Sequence, residues 1–184
     1  KKNYIHKALH YIRKYGFIGC IKKLVLRDHI KRAKAVDYKK WIKRHLPNNE
    51  ELRIQRIKKF DYQPKFSIVI PLYKTPIEYL DGVVDSVKNQ SYTNWELCLS
   101  DGSGDGGKLK EVLDKYCVDQ RIKYIISDQP LGIADNTNKA LTLVTGDFIV
   151  LGDHDDLFTP NALYECALAL NENQDIEVIY TDED

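Results

Sequence analysis

Phe148-Ile149-Val150-Leu151-Gly152-Asp153-His154-Asp155-Asp156-Leu157-Phe158 decides how this chain is read. An apolar run of strand length ends in three carboxylates within four residues, and apolar side chains resume at once. The run is expected to be a buried strand. Carboxylates that close repel one another, so the cluster is costly unless a cation or a cationic ligand neutralises it. Mg2+ and Mn2+ are hard cations that take oxygen ligands and accompany nucleotide phosphates. Taken alone, the cluster fits a solvated acidic turn equally well.

Outward from this stretch, strand-like and helix-like runs alternate. Strands are expected over residues 66–70, 95–100, 121–126, 147–151 and 176–180. Between them, Leu80, Val83, Val84 and Val87 mark one helix face, and Thr75-Pro76-Ile77-Glu78 ahead of it reads as a capping box. Leu109, Val112, Leu113 and Tyr116 mark a second helix, and Ala140, Leu141 and Val144 a third. A fourth, opened by Thr159-Pro160, carries Leu163, Ala167 and Leu170. This alternation predicts an α/β fold with a mostly parallel sheet and helices on both faces. Ligands of such sheets bind outside the carboxyl ends of the strands. That singles out the loops after Ile70, Ser100 and Leu151.

The 184 residues, 43% hydrophobic, suffice for one domain with a real core plus an accessory segment. Net charge is +1 but unevenly divided. Residues 1–60 hold 19 of the 28 Lys and Arg against 4 of the 27 Asp and Glu, a local charge of +15, which leaves −14 for residues 61–184. A domain boundary is therefore expected near residue 60, between a basic helical segment (1–60) and the alternating domain (61–184). Short helical patterns recur at 3–15, 21–26 and 37–46, with another start at Asn49-Glu50-Glu51 ahead of a helix over 52–59. Such a segment is expected to be a helical collar or to bind an anionic membrane surface, with nucleic acid a weaker fit. Its histidines (His6, His10, His29, His45) lack ligand spacing.

Cys20, Cys98, Cys117 and Cys166 form no CxxC pair, so neither disulfides nor a zinc site is expected, and a reducing cytoplasm fits. No apolar run approaches a membrane span. The chain contains no Met, even at position 1, as expected of a piece of a longer protein.

Two stock patterns touch residues 101–107, Asp101-Gly102-Ser103-Gly104-Asp105-Gly106-Gly107. Gly102-x-Gly104-x-x-Gly107 matches the dinucleotide fingerprint, with Asp128 as ribose acid. It follows the second strand rather than the first, however, and Asp101 and Asp105 would oppose a pyrophosphate. A calcium loop fails because its twelfth position is Val112 instead of Glu. What remains is a strand-end carboxylate, Asp101, able to accept N–H or O–H donors, beside glycines that let a flat base approach the backbone.

Five blocks then resemble the inverting family 2 glycosyltransferases. They are Ser67-Ile-Val-Ile-Pro71-Leu-Tyr73, Asn89-Gln90-Ser-Tyr92-Thr-Asn-Trp95-Glu96, Ser100-Asp101-Gly-Ser103, Gly132-Ile-Ala-Asp-Asn-Thr-Asn138 and Asp153-His-Asp155-Asp156. The resemblance runs from about Phe66 to the end, and the basic segment resembles that of bacterial rhamnosyltransferase-type members. It implies the GT-A, Rossmann-like nucleotide-sugar-binding fold. It implies that Pro71 and Tyr73 line the nucleotide pocket, that Asp101 contacts the base and that Asn138 borders the sugar-nucleotide. Asp153 is implied on the ribose or sugar side, with Asp155 and then Asp156 as ligands of Mn2+ or Mg2+. One departure is Ser100 where many members carry a second acid.

The expected activity is transfer of a sugar from a nucleotide-diphosphate sugar to a glycan or lipid-linked acceptor of a cell-surface polysaccharide. The expected location is cytoplasmic, peripheral at the inner membrane face. The general base of inversion is expected outside the chain, in an acceptor-binding half. The alternatives are a sugar-1-phosphate nucleotidyltransferase, against which the Pro71–Lys74 stretch lacks a Gly-rich triphosphate loop, and a non-catalytic module docked on membrane or a partner.

Overall fold

A computed structural model describes Ile42 and residues 44–180. The chain divides into two compact units between Leu46 and Pro47, ahead of the charge boundary at residue 60. The helices expected at 3–15 and 21–26, six of the ten residues of that at 37–46, and most of the basic segment proposed to face a membrane lie outside the described residues; Ile42, Arg44 and His45 are helical.

From Pro47 the elements run α1 (Asn49–Ile57), β1 (Phe66–Leu72), α2 (Ile77–Lys88), β2 (Trp95–Asp101) and α3 (Lys110–Tyr116). They continue as β3 (Ile122–Ile126), α4 (Ile133–Leu141), β4 (Phe148–Leu151) and α5 (Ala162–Glu172). The four strands form one sheet in the order β3-β2-β1-β4, and every pairing is parallel. Parallel neighbours need a crossover, and helices α2 to α4 supply the crossovers here.

The period of two along each strand sorts the side chains onto two faces. Phe66, Ile68, Ile70 and Leu72 of β1, with Trp95, Leu97 and Leu99 of β2, form the larger core. Against it pack Leu80, Val83, Val84 and Val87 of α2, Leu113 of α3, and Leu163, Ala167 and Leu170 of α5. Val69 and Cys98 point the other way and meet Ala140 of α4. Helices therefore lie on both faces, with β1 and β2 central and almost wholly buried. β4 is an edge strand whose Ile149 and Leu151, on the α4 side of the sheet, stay exposed.

Several local expectations change. α1 is capped by Asn48, whose side chain accepts from Glu50 N and Glu51 N while Glu51 returns a bond to Asn48 N, so the helix starts ahead of residue 52. The capping box read at Thr75 does not form. α2 starts at Ile77 with Pro76, which has no side-chain acceptor, at its N-cap, and the Thr75 hydroxyl instead accepts from Tyr73 N at 3.2 Å. Residues 176–180 form no strand. Of their apolar side chains Ile176 packs against the larger core, whereas Val178 and Tyr180 are 77% and 89% exposed.

At the amino end of the sheet, Glu96 is buried within a complete set of donors. Its Oε1 accepts from Ser67 Oγ at 2.7 Å and Thr145 N at 2.5 Å. Its Oε2 accepts from Lys65 Nζ at 2.6 Å, Lys123 Nζ at 2.8 Å and Thr145 Oγ1 at 2.7 Å. Burial alone would raise its pKa, but bonds from Lys123, Lys65, Ser67 and Thr145 outweigh it and hold the carboxyl well below the usual range.

Candidate nucleotide-sugar site

The carboxyl ends of β1 and β4 and the connection from β3 into α4 open onto a cavity of about 450 Å3, within the range of small-molecule sites. Pro71, Tyr73, Leu131 and Ile133 give it an apolar side, and Asn136, Asp153, His154 and Asp155 a polar one. Among the described residues lining it there is no Lys or Arg. Lys74 stands against one lining residue, its Nζ 5.2 Å from the centroid of the Tyr73 ring.

Each wall is set by the fold beneath it. Pro71 still belongs to β1, opposite Ser100 of β2. Tyr73 begins a tight loop in which Lys74 adopts a left-handed φ of 49°, a costly conformation for a residue with a Cβ. The loop is pinned to β2 because Lys74 N donates to Ser103 Oγ at 2.8 Å, and Ser103 Oγ donates to Asp101 Oδ1 at 2.5 Å. Ser103 N reaches the same carboxylate oxygen at 3.0 Å.

The acidic turn is fixed from both sides. Gly152 N donates to Val69 O, and Asp156 N closes the turn onto Asp153 O. The Phe158 ring packs so closely over Gly152 that a Cβ there would stand 2.9 Å from it. Gln90, 2% exposed, brackets the far end by donating to Thr159 O at 2.7 Å and accepting from Leu163 N at 3.1 Å. This motif glutamine positions the loop behind the carboxylates.

Of the residues read from the sequence, the cavity gathers Pro71, Tyr73, Asp153 and Asp155. Asp101 lies behind its wall, 1% exposed, with Oδ2 unpartnered. Asp156 is exposed and outside the lining, as is Asn138. Asn138 follows Asn136 by two helical residues, about 200° around α4, which turns it away. The helical spacing held the signal for Asn136, which lies four residues before the inward-facing Ala140. His154, Leu131 and Ile133 carried no comparable signal.

The glycines also differ from expectation. A Cβ on Gly102 would stand 2.6–2.8 Å from the Asn136 amide, and one on Gly104 (φ 61°) 2.2 Å from Pro130 N. These glycines make room for neighbouring protein, with Gly102 itself buried.

No group of three or more His, Cys, Asp and Glu gathers as a metal site among the described residues. Two carboxylates on one cavity do suit Mg2+ or Mn2+, which commonly take one or two carboxylates and fill the other positions with phosphate oxygens and water. Asp153 and Asp155 meet that requirement.

Residues 67–181 match the model of glycosyl transferase family 2. The O-antigen biosynthesis protein RfbC of Myxococcus xanthus is 27% identical over 149 residues, 80% of this chain and 12% of that protein. Chondroitin synthase of Pasteurella multocida is 33% identical over 143 residues, 77% of this chain and 14% of that enzyme. The chain thus spans about one seventh or less of these relatives' lengths. The crystal structure of S. aureus TarS 1-349 in complex with UDP shares the fold, with a TM-score of 0.54 at 24% identity over 60% of this chain and 33% of that one. The four-stranded parallel sheet with helices on both faces is the GT-A arrangement. With the family model spanning well over half its length, the chain belongs to glycosyl transferase family 2.

Proposed function

We propose that this domain holds the donor of a sugar transfer, a nucleotide-diphosphate sugar, and that it does so with a divalent cation. The observation that carries the reading is the two-sided cavity, which sets an apolar wall beside two carboxylates with no Lys or Arg among its described lining residues. A flat base suits Pro71 and Tyr73. A diphosphate beside Asp153 and Asp155 is repelled unless a cation lies between them. When bound there, Mn2+ or Mg2+ supplies the charge that stabilises a diphosphate leaving group.

The chain's own residues then divide the work. Asp155 and Asp153 hold the cation, with Asp153 also on the ribose or sugar side. Asp101 supplies an acceptor for the base, and Pro71 and Tyr73 enclose it. Inversion needs a general base near the acceptor hydroxyl, and we assign that base to an acceptor-binding part outside this chain. The names of the RfbC and chondroitin synthase relatives support a role in polysaccharide synthesis; we propose a glycan or lipid-linked acceptor, glycosylated at the cytoplasmic face of the membrane. For the basic residues 1–60 we propose contact with anionic lipid, which flotation with anionic against neutral liposomes tests. Equal absence from both fractions removes it.

Isothermal titration with UDP, GDP, CDP, ADP and dTDP, with and without Mn2+, tests the donor site. At least one diphosphate is expected to bind about tenfold or more tightly with Mn2+, and Asp155→Ala to erase that gain. Binding by none, or binding indifferent to both metal and Asp155, would sink the reading.

A further inference from the structure

The Asn136 amide faces the cavity in one fixed sense. Its Nδ2 donates to Leu72 O at 2.8 Å, and the flipped amide would set an oxygen against that carbonyl. Oδ1 is therefore committed as an acceptor, yet it is buried and has no protein partner. An unmet buried acceptor is destabilising. Packing alone does not account for it, because a leucine of similar shape would fill the space over Gly102 without that cost. Nor does Leu72 O depend on Asn136, since Gly102 N donates to it as well, at 3.0 Å.

We propose that Asn136 is a specificity-determining residue of the donor site, its Oδ1 accepting a hydrogen bond from an N–H or O–H of the bound nucleoside. The inference rests on the donor-site reading above. The two other buried unmet atoms among the described residues, Ser100 Oγ and Asp101 Oδ2, lie at the same end of the neighbouring strand. The diphosphate has no donor to give at neutral pH. Base N–H groups, ribose hydroxyls and sugar hydroxyls do. Because the Asn136 amide sits on Leu72 and Gly102, next to the Pro71 and Tyr73 wall assigned to the base, this acceptor reads the nucleoside end of the ligand.

The test is titration of the full chain, in Mn2+, with UDP (or GDP if that binds more tightly) and with its 2′-deoxy form. Wild type is compared with Asn136→Leu and Asn136→Ala, each beside a thermal melt. Asn136→Leu is expected to lose about tenfold in affinity while melting within about 3 °C of wild type. A loss confined to the ribonucleotide assigns the donor to the 2′-hydroxyl, and a loss on both forms assigns it to the base or the 3′-hydroxyl. Unchanged affinity in either folded variant overturns the proposal, as does a large fall in melting temperature without loss of binding. If Asn136→Leu does not fold, Asn136→Ala measured below its own melting temperature decides. Wild type that binds no nucleoside diphosphate refutes the donor site itself, a separate failure.

Discussion

Strand β2 carries a buried carboxylate at each end, and the two are treated in opposite ways. Glu96, at the amino end, accepts from two lysines, two hydroxyls and a backbone amide. Asp101, at the carboxyl end, accepts on Oδ1 from Ser103 alone and leaves Oδ2 unmet. Both are 1% exposed, so burial does not explain the difference. A carboxylate supplied with every partner it can use contributes to the fold. One left short beside a cavity is poised for something the chain does not contain.

The contrast breaks first at Glu96. Glu96→Ala is expected to cost about 3 kcal/mol, at the lower end for a buried pair because Lys65 and Lys123 are each 34% exposed and can rehydrate. Urea unfolding measures it, and nucleotide affinity in the folded variant should not move. Acid should imitate the substitution. Because the folded-state pKa of Glu96 is depressed, its contribution is complete above the unfolded value of about 4.3 and fades as pH falls below it. Melts from pH 6 down to about pH 3 should show wild type losing stability faster than Glu96→Gln.

At the carboxyl end the effects are smaller and fall on binding. Gly152→Ala must displace the Phe158 ring, at an expected cost of about 2 kcal/mol, together with weaker Mn2+-dependent nucleotide binding as the acidic turn shifts. Asp101→Asn should leave the melting temperature nearly unchanged yet weaken nucleotide binding about tenfold. If it instead destabilised as much as Glu96→Ala, the two ends would not differ in kind.

The sequence revealed the parallel sheet because β1 and β2 are apolar along their whole length and the helices between them keep clear periods. It failed at residues 176–180, whose apolar pattern suits a strand but which join no strand of the sheet, only Ile176 packing on the core. Pairing is a tertiary fact that a local pattern does not contain. In the site, Asp153 and Asp155 were readable because closely spaced carboxylates at a strand end demand an explanation. Asn138 stands at the motif position, whereas the helical phase that buries Ala140 also buries Asn136. The Gly102–Asn136 contact was invisible, since it joins a loop to helix α4, 34 positions on, through a missing Cβ. The Glu96 cluster was equally hidden, its lysines arriving from residues 65 and 123.

The bare face of β4 has a practical consequence for anyone preparing this domain. Ile149 and Leu151 are 52% and 68% exposed on a strand whose outer edge pairs with nothing among the described residues. Apolar side chains beside free ladder groups make an adhesive rim, along which copies can stack and precipitate as concentration rises. Lysine at position 149 or 151 should keep concentrated samples monodisperse in light scattering without touching the cavity.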